Sequence, residues 1–543
     1  MDFLANAIQF ENYTITYAKF DKFNDDKIFS QNTDYIIGID GVVLNLQALK
    51  NQYAISDYFK LISNLFKKEG IAFASKLKGE FTGFIVDKKD RKLYYFNNKT
   101  ATKQVFYTQF NDVILISSSL EKIIDIQNEL EIKNSLNINA TYNLLTYGAM
   151  IENQTLVNGI YKLNAGEYVI VKDASLKLNT YFTFNNIDYS IYNKKEAIDK
   201  LNESFLVALN LEYQKDETYN YNHLATLSGG LDSRMNVMIA DSLGFKNDTF
   251  CFSQSGYLDE KIARSIAQDL ELPFSFTALD GGDYMASLQE MVAINNGLQF
   301  YLGSAHFNFA LKKMDLSNYG LMHTGQIGDG ILGGFVTKEK RINSKFISKK
   351  LAHKTILDKT ISTKYSNEEV FKLYQRVFNL TNYGSYVVEQ HKTYIVSPFM
   401  DDDFIKIALS IDPKLKFQQQ IYIDWIKKYH PNVNKYTWEK TGFRPNKNWK
   451  NDLSRYTKKI KKEYYKATHK TYKLSMTPLD YWYANNEKAS LFYITFFNDN
   501  LSLFSTNKEL YNDLRLLFTT GNTVEKSMVL TVLEMVRKFK LVV

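Results

Sequence analysis

The chain has 543 residues, 45% apolar and 23% charged, a composition typical of a globular protein of two or three domains and not of a disordered or fibrous one. Its 67 basic and 59 acidic residues leave a net charge of +8, which is mild for this length. Its single cysteine, Cys251, excludes an internal disulfide framework and a cysteine-rich zinc site, and no apolar run approaches the ~20 residues of a membrane span.

Two further features bear on location and partners. The first ten residues, MDFLANAIQF, lack the basic segment and apolar run of a signal peptide, so we expect a cytoplasmic protein with no membrane partner. Lysines concentrate in 457–473, a run that could touch nucleic acid but that is more often a solvated helix face. We therefore expect no nucleic-acid partner.

Residues 1–188 are predicted to form an α+β domain with a large antiparallel component. Stretches rich in β-branched and aromatic residues, separated by turn residues, lie at 34–46, 81–98, 104–119 and 166–173. The short DKKD and FND connections are typical of hairpin turns. Helical spacing of apolar residues over 56–77 interrupts the strands.

Residues 189–543 are predicted to form a second domain, of the α/β class. A helix at 194–213 precedes a short strand that ends in LATLSGG, and then follow a helix at 234–244, a strand at 248–254 and a helix at 259–272. Strands and helices that alternate at these lengths indicate a parallel sheet with helical crossovers. The remainder of the chain has mostly helical patterns, and the domain boundary rests on the change of pattern near 188.

The stretch LSGGLDSR, residues 227–234, lies between the predicted strand and the next helix. Such a turn directs the backbone N–H groups of Ser228, Gly229 and Gly230 outward at the positive end of a helix, an arrangement that holds an anion. Ser228 and Ser233 add hydroxyl donors. Asp232 suits a phosphate site only if Mg²⁺ lies between its carboxylate and the phosphate oxygens. The alternative is an ordinary glycine turn before a helix.

This loop resembles the pyrophosphate-binding motif of the ATP pyrophosphatases, and further motifs narrow the resemblance to the asparagine synthetase family. TGQIGDGILGG (324–334) is similar to the family's SGEGxDExxGG motif, and the stretch at 397–416 to its PFLDxxFxxxALxLPxxLK motif. WEKTGFRP (438–445) resembles the KxGFxxP loop, and 76–108 resembles part of the glutaminase half. The matches occur in the family's order and cover most of the chain.

The resemblance implies a fold and a set of roles. The fold is a degenerate N-terminal-nucleophile-like glutaminase domain, followed by an ATP-pyrophosphatase domain with a parallel sheet and a mostly helical C-terminal part. ATP and Mg²⁺ are the implied cofactors, with Asp232 and Asp329 as metal ligands and Lys440 and Gln326 at the catalytic positions. The implied nucleotide-binding residues are Leu227, Ser228, Gly229, Gly230, Asp232, Ser233, Phe252, Thr324 and Gly325.

Several positions depart from the family pattern. An active glutaminase half carries cysteine after the initiator Met, where this chain has Asp2, and no cysteine precedes Cys251. The family's NGEIYN stretch, whose Asn and Glu bind the glutamine substrate, is DGVVLN here. Asp40 and Val42 therefore replace the two glutamine-binding side chains. We expect the first domain to be inactive toward glutamine, as in the β-lactam synthetases and lasso-peptide cyclases, whose layout is similar.

Two departures fall in the synthetase half. Gln326 stands where asparagine synthetases carry glutamate, and an amide cannot act as a general base. It only donates and accepts hydrogen bonds, which suggests an acceptor other than ammonia or a base from elsewhere. Arg234, where the family more often has serine, either adds a cation beside the phosphate loop or is a surface residue at a helix start.

The expected function is an ATP-dependent amide-forming ligase. It adenylates a small-molecule or peptide carboxylate, releases pyrophosphate and joins the acyl group to ammonia, to an amine or to a nitrogen of the same molecule. The alternatives are a true asparagine synthase that uses free ammonia and a non-catalytic, regulatory nucleotide-binding relative. We expect NNGLQFYLGSAHF (295–307) to line the acyl pocket, with His306 packed and not catalytic, and a homodimer is an open possibility.

Overall fold

A computed structural model describes residues 6–337, 346–355, 364–445, 457, 460 and 473–543. Asp2 lies outside the described residues, as do all but three residues of the lysine-rich stretch 457–473. The expected location of the latter on a helix face therefore stays a prediction.

The first half is built on antiparallel sheets. A six-stranded sheet has the order β11-β10-β6-β5-β4-β3, a three-stranded sheet has the order β8-β7-β9, and β1 and β2 form a hairpin. The strands are β1 (Asn6–Phe10), β2 (Tyr13–Tyr17), β3 (Ile28–Gln31), β4 (Tyr35–Val43), β5 (Gly79–Asp87), β6 (Lys92–Asn97), β7 (Phe106–Phe110), β8 (Val113–Ser117), β9 (Ile160–Lys162), β10 (Glu167–Lys172) and β11 (Ser175–Thr180). The helices are α1 (Leu46–Tyr53), α2 (Tyr58–Glu69), α3 (Leu120–Glu129) and α4 (Ile138–Tyr147).

Helix α2 shows why the sequence folds in this way. Asp57 caps its N-terminus by accepting the N–H of Lys60, and Gly70 ends it with a φ of +59°. Leu61, Ile62 and Leu65 recur at helical spacing and are buried against the six-stranded sheet. The helix and hairpins predicted for this half are confirmed.

The second half carries a five-stranded parallel sheet of order β14-β13-β12-β15-β16. Its strands are β12 (Asn222–Thr226), β13 (Asn247–Ser253), β14 (Phe274–Ala278), β15 (Tyr319–His323) and β16 (Ile395–Val396), and its first helices are α5 (Lys194–Thr218), α6 (Leu231–Ser242) and α7 (Leu258–Asp269). β12 pairs with β13 on one side and with β15 on the other, so the strand order reverses between β12 and β15. Open α/β sheets bind ligands at the carboxyl ends of the strands that flank such a reversal.

Helices dominate the rest of the chain, as predicted. They are α8 (Leu288–Asn295), α9 (Leu302–Leu311), α10 (Glu368–Lys372), α11 (Tyr383–Gln390), α12 (Asp402–Ser410), α13 (Pro413–Lys416), α14 (Gln420–Tyr429), α15 (Leu479–Asn485), α16 (Glu487–Asn500), α17 (Lys508–Thr520) and α18 (Thr523–Phe539). Helix α18 is buried along most of its length and packs against α4 and α8. The predicted fold class, an antiparallel α+β domain followed by an α/β domain with a helical C-terminal part, is confirmed.

The two halves meet through buried contacts. Ala149 forms a β-bridge with Gln299, and the N–H of Phe300 donates to the carbonyl of Gly148 at 3.0 Å. Lys103 of the first half lies 2.5 Å from a carboxylate oxygen of Glu389. Strand β11 ends at Thr180 and α5 begins at Lys194. The domain boundary near 188 stays a prediction.

Candidate active site

A cavity of about 710 Å³ opens at the carboxyl ends of β12, β13 and β15. Because β12 and β15 flank the reversal of strand order, the loops that follow them meet there. All the sequence-predicted site residues but one line it: Leu227, Ser228, Gly230, Asp232, Ser233, Phe252, Thr324, Gly325, Gln326, Asp329 and Lys440. The exception is Gly229.

The phosphate loop differs from its predicted form, because its N–H groups do not all point outward. The N–H of Ser228 donates to Ser233 Oγ at 3.0 Å, and that of Gly230 donates to Ser228 Oγ at 3.2 Å. The N–H of Gly229 donates to a carboxylate oxygen of Asp259 at 2.9 Å, on the first turn of α7. Local hydroxyls and one acidic side chain thus accept the three backbone N–H groups. An anion at this loop therefore either displaces these acceptors or binds through the serine hydroxyls.

The loop after β15 packs directly on the first turn of α6. A β-carbon at Gly325 would lie 2.1 Å from the carbonyl carbon of Asp232 and 2.2 Å from the nitrogen of Ser233, so only glycine allows this approach. Ile327 has a φ of +69°, a costly conformation for a β-branched residue, at a position where the SGEGxDExxGG motif has glycine. The replacement of a motif glycine by isoleucine is the sequence signal of this strain.

Two carboxylates face the cavity, Asp232 from the first turn of α6 and Asp329 from the loop after β15. One oxygen of Asp232 accepts the N–H of Asp329 at 2.8 Å, and the other accepts the hydroxyl of Tyr422 at 3.0 Å. Burial and the charge of Asp329 raise the pKa of Asp232 well above its usual range. A buried carboxylate beside a second one is stabilised by a divalent cation, and carboxylate oxygens are the ligands that Mg²⁺ prefers. The donor set therefore fits Mg²⁺ held by Asp232 and Asp329.

Lys440 lies on the same side of the cavity as Asp329. Its Nζ donates to Gln419 Oε1 at 3.0 Å and lies 3.9 Å from a carboxylate oxygen of Asp329. The amide nitrogen of Gln419 in turn donates to the backbone carbonyl of Asp329 at 3.0 Å. Sequence reasoning missed Gln419 and Tyr422, because no motif marks them and their partners lie about 90 and 190 positions away.

Arg234 is fully buried, so of the two alternatives for this residue the surface position is wrong. Its guanidinium donates to the backbone carbonyl groups of Gly229, Val433, Tyr436 and Thr437. It therefore ties the segment that leads to Trp438 and Lys440 to the phosphate loop. Burial lowers its pKa to about 10, which leaves it cationic near neutral pH.

The remaining predicted residues surround the base of the cavity. The ring of Phe252, near the carboxyl end of β13, lies 5.6 Å from the ring of His306 and 5.5 Å from that of Phe307, measured between ring centroids. Burial lowers the pKa of His306 to about 4, so this ring is neutral near pH 7. The backbone carbonyl of Gln326 accepts the hydroxyl of Ser397 at 3.1 Å. Thr324 donates its hydroxyl to the carbonyl of Val396, which anchors the second loop to β16.

The fold and the site define a class of protein in which an amidotransferase-type domain precedes an ATP-pyrophosphatase-type domain. Comparison with known families agrees with this layout. Residues 19–182 match the family model of the glutamine amidotransferase domain, and residues 222–394 match that of asparagine synthase.

Curated relatives come from bacteria, plants and fungi. Asparagine synthetase (glutamine-hydrolyzing) 1 of Bacillus subtilis strain 168 is 25% identical over 40% of this chain and 34% of its own. The nodule asparagine synthetase (glutamine-hydrolyzing) of Pisum sativum is 20% identical over 72% of this chain and 61% of its own. The amidase chry2 of Gibberella zeae is 22% identical over 36% of this chain and 29% of its own. The matches thus span less than two thirds of each relative's length.

The two matched regions, in this order, and the asparagine synthetase relatives show that the chain belongs to the asparagine synthetase family. Among the helices in the described part of the chain, none has the length and apolar character needed to cross a membrane.

Proposed function

We propose that this protein is an ATP-dependent amide ligase that adenylates a carboxylic acid and transfers the acyl group to nitrogen without hydrolysing glutamine. The observation that carries the proposal is the convergence of Asp232, Asp329 and Lys440 on one cavity beside the phosphate loop. Two metal-binding carboxylates and a cation at that point suit a nucleoside triphosphate better than a neutral ligand.

In the first step, a carboxylate oxygen of the substrate attacks the α-phosphorus of ATP, and the bond from that phosphorus to the bridging oxygen of pyrophosphate breaks. Asp232 and Asp329 would hold Mg²⁺, which would supply positive charge to offset that of the phosphate oxygens and of the leaving pyrophosphate. Ser228 and Ser233 offer hydroxyl donors to the phosphates. Lys440, held by Gln419, supplies positive charge where negative charge develops.

In the second step, a nitrogen nucleophile attacks the acyl carbon, AMP leaves with the bonding electrons, and the nitrogen loses a proton. Gln326 lines the cavity as a neutral amide and offers hydrogen bonds only. The proton is therefore taken by a group other than Gln326, and released AMP or a second nitrogen of the substrate is available for this.

Three observations support a nitrogen source other than glutamine. Cys251 is buried in β13, and burial raises the pKa of its thiol, which makes it inert as a nucleophile. Asp40 is engaged by Lys103 at 3.5 Å and by Lys27 at 3.9 Å. Val42 is fully buried with Leu321 and other residues of the second half, so it presents no polar group to a substrate. Ammonia, an amine or an internal nitrogen remains as the nucleophile.

The test is to incubate α-labelled ATP and Mg²⁺ with the protein, a mixture of carboxylic acids, and hydroxylamine as a small nucleophile that traps acyl-adenylates. We expect AMP, pyrophosphate and hydroxamates in equal amounts, with loss of all three in Asp329→Asn. Asp199→Asn, an exposed aspartate on α5, is the matched control and keeps full activity. Production of ADP, or ATP binding without cleavage, contradicts the proposal, and the latter result indicates a regulatory nucleotide-binding protein.

A further inference from the structure

Beyond the phosphate loop, the cavity has a wall of aromatic and aliphatic side chains, here called the apolar wall. It consists of Phe300, Phe307, Ile347, Leu380, Tyr383 and Ile395. Gly384 keeps this part of the wall free of a side chain, since a β-carbon there would lie 3.1 Å from the amide of Gln326, closer than an ordinary contact, and 3.9 Å from both Ile395 and Phe307. The apolar wall therefore borders the position at which the acyl group is transferred.

The first domain supports this wall. Gly148 ends α4 with a φ of +75°, and a β-carbon on it would lie 2.5 Å from Ile347 and 3.0 Å from Phe300. The Ala149–Gln299 bridge fixes the backbone on the same side. The wall is a packed surface, so its shape is set before a ligand arrives.

The charged side chains that the described residues bring to the cavity lie in its other part. Within residues 6–337, 346–355, 364–445 and 473–543, the charged side chains that line it are Asp232, Asp259, Asp329, Glu439 and Lys440. All of them belong to the phosphate end: Asp259 accepts the N–H of Gly229, the N–H of Glu439 donates to the carbonyl of Gly229, and Lys440 lies beside Asp329.

Three polar side chains near the wall, Gln299, Ser304 and Tyr383, are neutral and already have hydrogen-bond partners. The hydroxyl of Tyr383 donates to the carbonyl of Leu298 at 3.1 Å, and Gln299 and Ser304 lie within a hydrogen bond of each other at 3.4 Å. An amino-acid substrate such as aspartate brings an α-ammonium and an α-carboxylate that need charged partners when they leave water. An apolar chain gains about fourfold in affinity for each methylene buried here.

We infer that the acid adenylated by this protein is an apolar monocarboxylic acid, aliphatic or aromatic, without a charged group on its α-carbon. This inference rests on the proposed function. The carboxylate lies at the phosphate end, where Lys440 and the metal-binding carboxylates act on the reacting phosphate. The hydrocarbon body packs on the apolar wall, with Gly384 leaving room for it.

The test uses non-hydrolysable analogues of the acyl-adenylate, in which a sulfamoyl group replaces the phosphate. Binding of three compounds is measured by calorimetry: adenosine 5′-sulfamate, its 3-phenylpropionyl derivative and its aspartyl derivative. We expect the phenylpropionyl compound to bind at least 100-fold more tightly than the aspartyl compound. Gly384→Leu, which fills the space beside Gln326, lowers the affinity for the phenylpropionyl compound at least tenfold. It leaves the affinity for adenosine 5′-sulfamate unchanged. Val207→Ala, at an exposed apolar position on α5, serves as the control and changes none of the three.

The outcomes separate the two claims. If the aspartyl compound binds as tightly as the phenylpropionyl compound, or more tightly, the substrate class is wrong while the adenylating function stands. If Gly384→Leu leaves the phenylpropionyl affinity unchanged, the apolar wall is not the acyl site and the inference is overturned. If none of the three compounds binds, the proposed function itself fails.

Discussion

Replacement of Tyr422 by phenylalanine removes one hydroxyl from the predicted metal site and nothing else. Tyr422 is fully buried on α14, and its hydroxyl donates to Asp232 at 3.0 Å. This bond stabilises the ionised carboxylate against the burial and the neighbouring Asp329 that favour its protonated form. Without the bond, a proton competes more strongly with Mg²⁺ for Asp232. We therefore expect Tyr422→Phe to weaken Mg²⁺ binding.

The size of the effect follows from the geometry. A hydrogen bond to a charged group contributes about 1.5–3 kcal/mol, which is a factor of about 10 to 150 in affinity. The N–H of Asp329 still holds the other oxygen of Asp232 at 2.8 Å, so the carboxylate keeps much of its orientation. We expect the lower end of that range, a loss of about tenfold.

The assay is a calorimetric titration of Mg²⁺ in the presence of α,β-methylene-ATP. Tyr429→Phe is the matched control, because Tyr429 ends the same helix and donates to Asp199 at 2.8 Å on the surface. Exposed pairs of this kind contribute little, so we expect less than a twofold change. Equal Mg²⁺ affinity in the wild-type protein and in Tyr422→Phe would refute the assignment of Asp232 as a metal ligand.

Three further predictions test the surroundings of the site. Gly325→Ala should lower the free energy of unfolding by about 1–3 kcal/mol and the ATP-dependent activity at least about 100-fold, because the added methyl group overlaps the backbone of Asp232. A variant with the melting temperature and activity of the wild type would contradict this close approach. Lys103→Met should destabilise by about 1.5–3 kcal/mol in thermal unfolding, because it removes the buried cationic partner of the partly exposed Glu389, and a further Glu389→Gln change should restore part of the loss. Burial lowers the pKa of His323, but its hydrogen bond to Asp216 at 2.8 Å and the carboxylate of Glu212 at 3.7 Å outweigh this and raise the pKa to about 9. The protonated ring therefore stabilises the fold fully below pH 6.5, and up to about 3 kcal/mol of that stabilisation is lost as the pH rises through 9. His323→Gln should flatten that part of the pH profile, and a profile equal to the wild type would contradict the shift.

Much of the site could be predicted because it is encoded locally. The loop after β12 and the loop after β15 carry short glycine-rich motifs, and alternation of strands and helices places both at one edge of a parallel sheet. The resemblance of three separate segments to motifs of the asparagine synthetase family assigned Asp232, Asp329 and Lys440 to one site. Their chemical roles remain part of the proposal.

The contacts that tune these residues could not be predicted. Tyr422 and Gln419 reach the site from α14 and the turn before it, and their partners are distant in sequence. Gln419 also has a φ of +63°, which is rare for a residue other than glycine and leaves no mark in the pattern. Asp259 resembles any acidic residue in the first turn of a helix, yet its carboxylate occupies the N–H of Gly229. Such pairings depend on tertiary packing and not on periodicity.

The central claim is that the two loops hold the triphosphate of ATP with a metal ion between Asp232 and Asp329. The most direct measurement is a crystal structure with α,β-methylene-ATP and Mn²⁺, whose anomalous signal locates the metal. We predict a Mn²⁺ peak coordinated by Asp232 and Asp329, with the adenine near Phe252 and phosphate oxygens on Ser228 and Ser233. A nucleotide outside this cavity, or a metal ion held by neither carboxylate, would contradict the account.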